Sequence, residues 1–462
     1  MEDMLELAII VLYLMGMIVV GVVVRSKARQ ADDFFVAGRR GSTLLITGSL
    51  LATIIGGSAT LGMAGRGATL GLTGAWWLLV GCIGLVALGI FFARKVRQFG
   101  LYTLPELMRE QYNEKVALVA SALVVIAWVG IVAGQIIAAG KVMGILGIGS
   151  PLLWMAIFTV VFITYTLLGG QYAVIRTDLW QVVIIIGGVF GVLAVLFTKF
   201  DGWAGFINAV PPESLAFPVS PNFGGIDLVS LLFLVGLTYV VGPDMYSRVF
   251  CARDGRTARA SVLWAAVLIV PIALAITIIG MGGAALFPEV PSAEQILPLV
   301  IVELLPPLLG GIVLAALLCA MMSSADTTLL SASTILSVDI IGKFKPSLSR
   351  ESLVTLTRWS IVLLGVAALL LALWLGGIIS ALLFAYTIYT GGIVLPVIAG
   401  FYRDRLKVTP AGAIVAIVGG GGAALASKIW SIDYLDLGAL LISGLLLFIV
   451  SFVDNRISNT QS

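Results

Sequence analysis

Long apolar stretches, with no alternation inside them, organise this chain. Thirteen runs reach the length of about 20 residues needed to cross a bilayer. They fall near residues 5–24, 43–65, 73–93, 116–140, 151–168, 178–198, 226–250, 260–287, 308–340, 352–375, 378–400, 409–427 and 437–453. A lipid-facing barrel strand alternates apolar and polar positions, and these runs do not. Helices remain as the way to satisfy backbone groups in lipid. The predicted fold class is an all-α polytopic membrane protein with about 13 transmembrane helices.

The run at 308–340 exceeds one bilayer thickness, so tilting or projection beyond the bilayer is expected. Acidic residues (Glu2, Asp3, Glu6) lead the first run and no small-residue cleavage pattern follows it. It is therefore expected to persist as a helix rather than act as a removed signal peptide.

Composition supports the same class. The 462 residues are 60% hydrophobic and 11% charged, where a soluble domain carries about a quarter charged residues. The chain has no histidine, which excludes imidazole acid–base chemistry and histidine metal sites. Cys82, Cys251 and Cys319 lie far apart and are expected as buried apolar residues. The sequence thus offers no catalytic motif, no cofactor and no nucleic-acid partner.

Basic residues set the orientation. With the N-terminus outside and the runs alternating, 23 of the 27 Lys and Arg fall inside, including Arg25, Lys27, Arg29, Arg176, Arg248 and Arg253. Arg66, Lys141, Lys199 and Lys428 remain outside. By the positive-inside rule this predicts a multi-pass cell-membrane protein with its C-terminus in the cytoplasm. Thr103–Tyr112 (TLPELMREQY) reads as a short surface helix capped by Thr103, with Pro105 in its first turn and Glu106 three residues after the cap. The segments 199–225 and 288–307, the latter with Pro291, Pro298 and Pro306, are expected as connectors or an outer lid.

Two helices carry breaks. In TGSLLATIIGGSATLGMAG, Gly56 and Gly57 fall mid-run beside Ser58 and Thr60; in LVSLLFLVGLTYVVGPDMYSRVF, Gly242 and Pro243 precede Asp244. Glycine and proline free backbone groups that lipid cannot satisfy, so protein, water, an ion or a solute must. Leaving out the first helix, the broken segments are the first and sixth of ten. Interrupted helices at matching places of two five-helix halves point to an inverted-repeat transporter.

Within residues 319–339 (CAMMSSADTTLLSASTILSVD) a series of hydroxyls and the Asp326 carboxylate fall inside an apolar run. An intramembrane carboxylate marks a pathway or ion site, and sodium, a hard cation, takes oxygen ligands. Ser323 and Thr327 lie one turn apart, Ser324 adjoins, and Ala320 one turn earlier can offer its carbonyl. Ser331, Ser333 and Thr334 read as packing hydroxyls bonded to their own helix.

SSADTTLLSASTILSVDI (323–340) and LGGQYAVIRTDLWQ (168–181) resemble motifs of the sodium:solute symporter family, as do FFVAGRR (34–40), TLPEL and GPDMYSRVFCARD (242–254). The resemblance is nearest to the proline-transporter-like branch and runs along nearly the whole chain. It implies a LeuT-type 5+5 inverted repeat with one extra N-terminal and two extra C-terminal helices. Residues 1–30 would form the extra N-terminal helix, 40–200 and 222–402 the two repeats, and 403–462 the C-terminal helices and short tail.

The same resemblance implies a sodium held by the carbonyls of Ala52, Ile55 and Ala320 and the hydroxyls of Ser323 and Ser324. It implies a second sodium or proton site at Asp178, Asp326 and Thr327, beside Ser323, although Asp326 stands where those members carry a hydroxyl. Asp178-x-x-Gln181 also fits a helix capping box. Solute would lie among Gly57, Ser58, Gln135, Tyr239, Pro243 and Tyr386. Ser58 and Ile54 depart from both the sugar and the proline branches and Val235 from the proline branch, so these residues do not identify the solute; the expected class is a small organic solute, an amino acid such as proline or a carboxylate. Sodium-coupled symport by alternating access, with a monomer sufficient, is the reading that follows. Proton-coupled or uncoupled transport on the same fold is the alternative; a membrane sensor is disfavoured because only DNRISNTQS follows the last run.

Overall fold

A computed structural model of the chain describes residues 2–24, 31–290, 292–345, 347–430 and 435–461. Arg25, Lys27, Arg29 and Pro291, used above for orientation and loop character, lie outside these residues.

The principal helices are α1 (Glu2–Val24), α2 (Thr43–Ile54), α3 (Met63–Leu70), α4 (Trp76–Ala87), α5 (Glu114–Ile145) and α6 (Pro151–Lys199). They continue with α7 (Leu237–Val241), α8 (Pro243–Cys251), α9 (Gly255–Leu286), α10 (Ile296–Leu304) and α11 (Pro307–Thr334). The last four are α12 (Arg350–Leu375), α13 (Ile378–Tyr389), α14 (Pro410–Trp430) and α15 (Leu435–Gln461). Large apolar side chains stand exposed around the perimeter, among them Leu12, Val160, Trp180, Trp264, Leu370, Trp374 and Leu441. An exposed apolar belt on this scale fits a lipid environment and not water. Every side chain from Leu314 to Leu330 on α11 is buried, so the polar stretch of that helix lies in the protein interior.

Ten helices are long and apolar enough to cross a membrane, with Met4–Val20 and Thr43–Ile54 as shorter apolar helices. The count is ten rather than thirteen because some expected spans run on into continuous helical stretches. Ser58–Phe99 is taken as one stretch, although Gly71–Ala75 tightens into a 3-10 turn within it. Pro151–Lys199 is likewise continuous, although Gly170 departs from helical geometry with φ 52° and ψ −159°. A straight helix of that length would run about 73 Å, far beyond a bilayer. The Gly170 break falls in the LGGQYAV motif, and a Cβ there would meet the Phe34 ring at 2.5 Å. Phe34 belongs to the short helix Ala31–Val36 and is fully buried.

The other motifs gather at the same end. Phe35 meets the Tyr102 ring at 5.6 Å, and Gly41 N–H donates to Cys251 O at 3.0 Å while Arg253 N–H donates to Gly41 O at 3.0 Å. Leu104–Gln111 forms the expected capped helix: Thr103 Oγ1 accepts Glu106 N–H at 3.2 Å, and Glu106 reaches back to Tyr102 N–H at 2.7 Å. Its Leu104, Leu107 and Met108 are buried, so it packs into the body rather than lying on the surface.

At the opposite end the connection before α10 is fastened by one carboxylate. Glu294 pairs with Lys141 of α5 and accepts the Ile378 and Ile379 N–H groups at 3.2 and 3.1 Å. Those two amides open α13, where helix donors have no partner of their own.

Candidate functional site

The break between α2 and Ser58 determines the local chemistry. Gly56 N–H turns back to Ile54 O at 2.9 Å, and Gly57 N–H goes to Gln135 Oε1 at 2.7 Å. In a regular helix those two amides would serve the carbonyls of Ala52 and Thr53. Both carbonyls are thereby released, and the Ser324 hydroxyl of α11 meets them, at 3.5 Å for Ala52 O and 2.7 Å for Thr53 O. A Cβ at Gly56 would come within 2.7 Å of Gln135 Oε1 and 2.8 Å of Ser324 Cβ, so the close approach requires glycine. Ile55 caps α2 with ψ 63°, and Ala320 is fully buried one turn before Ser324. Ser58 begins a π-helical turn through Gly62 and is buried.

A second polar cluster adjoins the first. Asp178 accepts the hydroxyls of Ser49 and Ser323, each at 2.5 Å, and pairs with Arg248 at 3.3 Å. The Arg248 guanidinium also donates to Thr327 Oγ1, and Thr53 Oγ1 lies 3.4 Å from the same hydroxyl. Both ions are essentially unexposed. An isolated buried charge costs several kcal/mol, which the opposite charge and the hydroxyls offset. Asp326 faces elsewhere, its Oδ1 accepting the Thr166 hydroxyl at 2.7 Å.

Two expectations are corrected here. Asp178 lies inside α6, so Asp178-x-x-Gln181 is not a capping box; the helix persists on both sides of it. Gln181 instead approaches Tyr13 and Met17 of α1. Arg248, grouped above with the inside loops, is wholly buried. Pro243 starts α8 immediately after the Gly242 break, and the new helix carries Arg248 inward to Asp178.

The second break exposes Val241 O, which Tyr389 Oη satisfies at 2.7 Å. Beside it the Thr238 and Thr390 hydroxyls meet at 3.0 Å. Tyr239 packs on α4, where a Cβ at Gly81 would touch its ring at 3.0 Å. One turn away on the same helix, Trp77 faces Tyr386 with ring centroids 6.4 Å apart. Pro243 lines a small hollow with Ser247, Gln171 and Ser331, capped by Phe35 and Tyr102.

The structure thus brings Ala52, Gly57, Gln135 and Ser324 together, and Asp178 with Ser323 and Thr327. It sets Asp326 apart on Thr166. The reading from sequence missed the Thr53 carbonyl, Ser49, Arg248 and Tyr389. Thr53 and Ser49 lie about one and two turns before Gly57, on the helix that carries the first break.

Two interrupted helices with released carbonyls, closed by hydroxyls from a third inside a lipid-facing shell, define a membrane transporter built on broken helices rather than an enzyme. The sodium:solute symporter family model matches residues 34–420, and the chain belongs to that family. It is a multi-pass membrane symporter that couples a small solute to sodium.

Among similar proteins, a sodium/pantothenate symporter of Haemophilus influenzae is 26% identical, with 99% of this chain and 98% of that one covered. A sodium/glucose cotransporter of Vibrio parahaemolyticus is 25% identical, with 85% of this chain and 79% of that one covered. The structure of a Na+-coupled sialic acid symporter in a substrate-bound outward-open state superposes with TM-score 0.82 at 21% identity, covering 97% and 98% of the two chains. MhsT in complex with L-phenylalanine superposes with TM-score 0.55 at 15% identity, covering 90% and 98%. These likenesses establish the LeuT-type fold.

Proposed function

We propose that sodium binds where the first broken helix meets α11, held by the carbonyls of Ala52, Ile55 and Ala320 and the hydroxyls of Ser323 and Ser324. The observation that carries this is the Ser324 hydroxyl resting on the released Ala52 and Thr53 carbonyls. A bare monovalent cation replaces the hydroxyl proton as the partner of those oxygens. Bridging α2 and α11, the ion favours the conformation in which both are close, and coupling is its differential affinity for the two states.

Solute lies between the two breaks, against Gly57, Ser58, Gln135, Tyr239, Pro243 and Tyr386. Residues 40–200 and 222–402 act as the two repeats, 1–30 and 403–462 flank them, thirteen spans cross the bilayer, and a monomer in the cell membrane suffices, N-terminus outside and C-terminus inside. The solute is a small organic molecule of the amino-acid or carboxylate kind. Pantothenate and sialic acid, named for two similar proteins, both carry a carboxylate.

Asp178 and Thr327 form the second cation position, and Asp326, set apart on Thr166, is the carboxyl available to a proton. Arg248 supplies the positive charge there in this conformation. A proton-coupled reading draws on Asp326, a buried carboxyl whose hydrogen bond is to a neutral threonine.

The test is uptake into proteoliposomes with sodium replaced by choline and a pH-gradient control, on wild type and a Ser323→Ala, Ser324→Ala double variant. The double variant should lose sodium-dependent uptake while inserting normally. Wild-type sodium dependence in that variant would remove this site from consideration.

A further inference from the structure

Arg66 stands apart from the other cations on the outer half of the molecule. It lies on α3, two turns beyond Ser58, or about 12 Å along the helix axis. Its guanidinium sits over the Trp77 ring at 5.6 Å, and Trp77 in turn faces Tyr386. The side chain is half-buried, and its Nε is buried without a hydrogen-bond partner. Among the described residues no carboxylate forms an ion pair with it. The acids nearby are committed elsewhere. Glu294, on the connection against which Gly65 packs, is held by Lys141 and the start of α13. Asp227, which acts on Arg66 only through its field, is exposed and accepts Gly224 N–H at 2.8 Å to cap its own helix.

A buried guanidinium N–H with no acceptor is costly to keep. The planar fork suits a carboxylate, which it binds through two parallel hydrogen bonds. One cation matches one negative charge, so a monocarboxylate fits better than a doubly charged phosphate. Trp77 and Tyr386, 2 and 8% exposed, follow one another beyond the guanidinium and offer apolar faces to the remainder of such a solute.

We propose that Arg66 is the specificity-determining residue of the solute path, and that the solute is an organic monocarboxylate whose carboxylate it receives while the body packs on Trp77 and Tyr386. This rests on the symport reading above and names its solute class. The test uses matched pairs, lactate with lactamide, pantothenate with pantothenol and N-acetylneuraminate with its methyl ester, offered to proteoliposomes under a sodium gradient. Sodium-induced thermal stabilisation of the purified protein without solute is measured in parallel.

Only carboxylate members should accumulate. Arg66→Gln should raise KM for the accepted carboxylate tenfold or more, Arg66→Lys should recover part of it, and both should keep the sodium-induced stabilisation. Sodium-driven uptake of a neutral member with equal kcat/KM, an unchanged KM in Arg66→Gln, or uptake of no carboxylate while sodium still stabilises the protein would each overturn the proposal. If sodium neither stabilises nor drives uptake, yet a carboxylate accumulates in an Arg66-dependent way under a proton gradient, the sodium site is wrong and the monocarboxylate assignment stands.

Discussion

Arg248 and Asp178 form a fully enclosed ion pair, Nη2 to Oδ2 at 3.3 Å, joining the helix after the second break to the middle of α6. Ser49 of the first broken helix and Ser323 of α11 complete the carboxylate's bonds, and Thr327 takes a guanidinium donor. Four helices meet at one carboxylate.

Removing one partner leaves a buried charge without its opposite. Arg248→Gln should destabilise the protein by about 3–5 kcal/mol, read as a lower melting temperature in detergent. Asp178→Asn in the same chain should restore much of the loss. The single variant should also show a steeper sodium dependence of uptake, since an ion from solution can then neutralise Asp178. An unchanged melting temperature and sodium profile would contradict this role.

Gly56→Ala tests the close approach at the first break. The added methyl meets Gln135 Oε1 and Ser324, so α2 and α11 must separate. Sodium-induced stabilisation should disappear while the helices still form, seen by circular dichroism. A Gly56→Ala protein that binds sodium normally would show that the contact is dispensable.

Gln135 holds the Gly57 amide. In Gln135→Leu that buried donor loses its acceptor, at a cost of about 1–3 kcal/mol. Solute KM should rise several-fold or more, whereas Gln135→Glu, which keeps an acceptor oxygen, should stay closer to wild type. Equal kinetics for both variants would argue against the amide as the cause.

Tyr389→Phe removes the hydroxyl that donates to the freed Val241 carbonyl. Stability should fall by about 1–2 kcal/mol with the ring packing on Trp128 retained. A near-zero change would mean another donor serves that carbonyl.

Much of this architecture was legible because bilayer physics is blunt. Apolar runs must be helices, and Gly56-Gly57 and Gly242-Pro243 had to free backbone groups that something else would bind. The SSADTTLL hydroxyls were conspicuous against their apolar surroundings. Pairings across helices were not legible. Arg248 lies near a run's end, where arginines ordinarily meet the aqueous phase, and only the turn at Pro243 directs it inward. Tyr389 is one aromatic residue among many in apolar runs. Asp178 and Gln181 have capping spacing, but a cap needs a helix start, and α6 continues through both residues. The Ala52 carbonyl follows from the family resemblance, whereas the Thr53 carbonyl is freed only because the Gly57 amide turns to Gln135 on another helix.

Glu294 gives the connection before α10 an all-or-none fastening. One side chain serves an ammonium on α5 and two peptide donors on α13, so withdrawing it strips three partners in a single movement. Partial loosening gains little, because any donor left behind would still have to find water. The connection should therefore let go of α5 and α13 together rather than loosen one contact at a time.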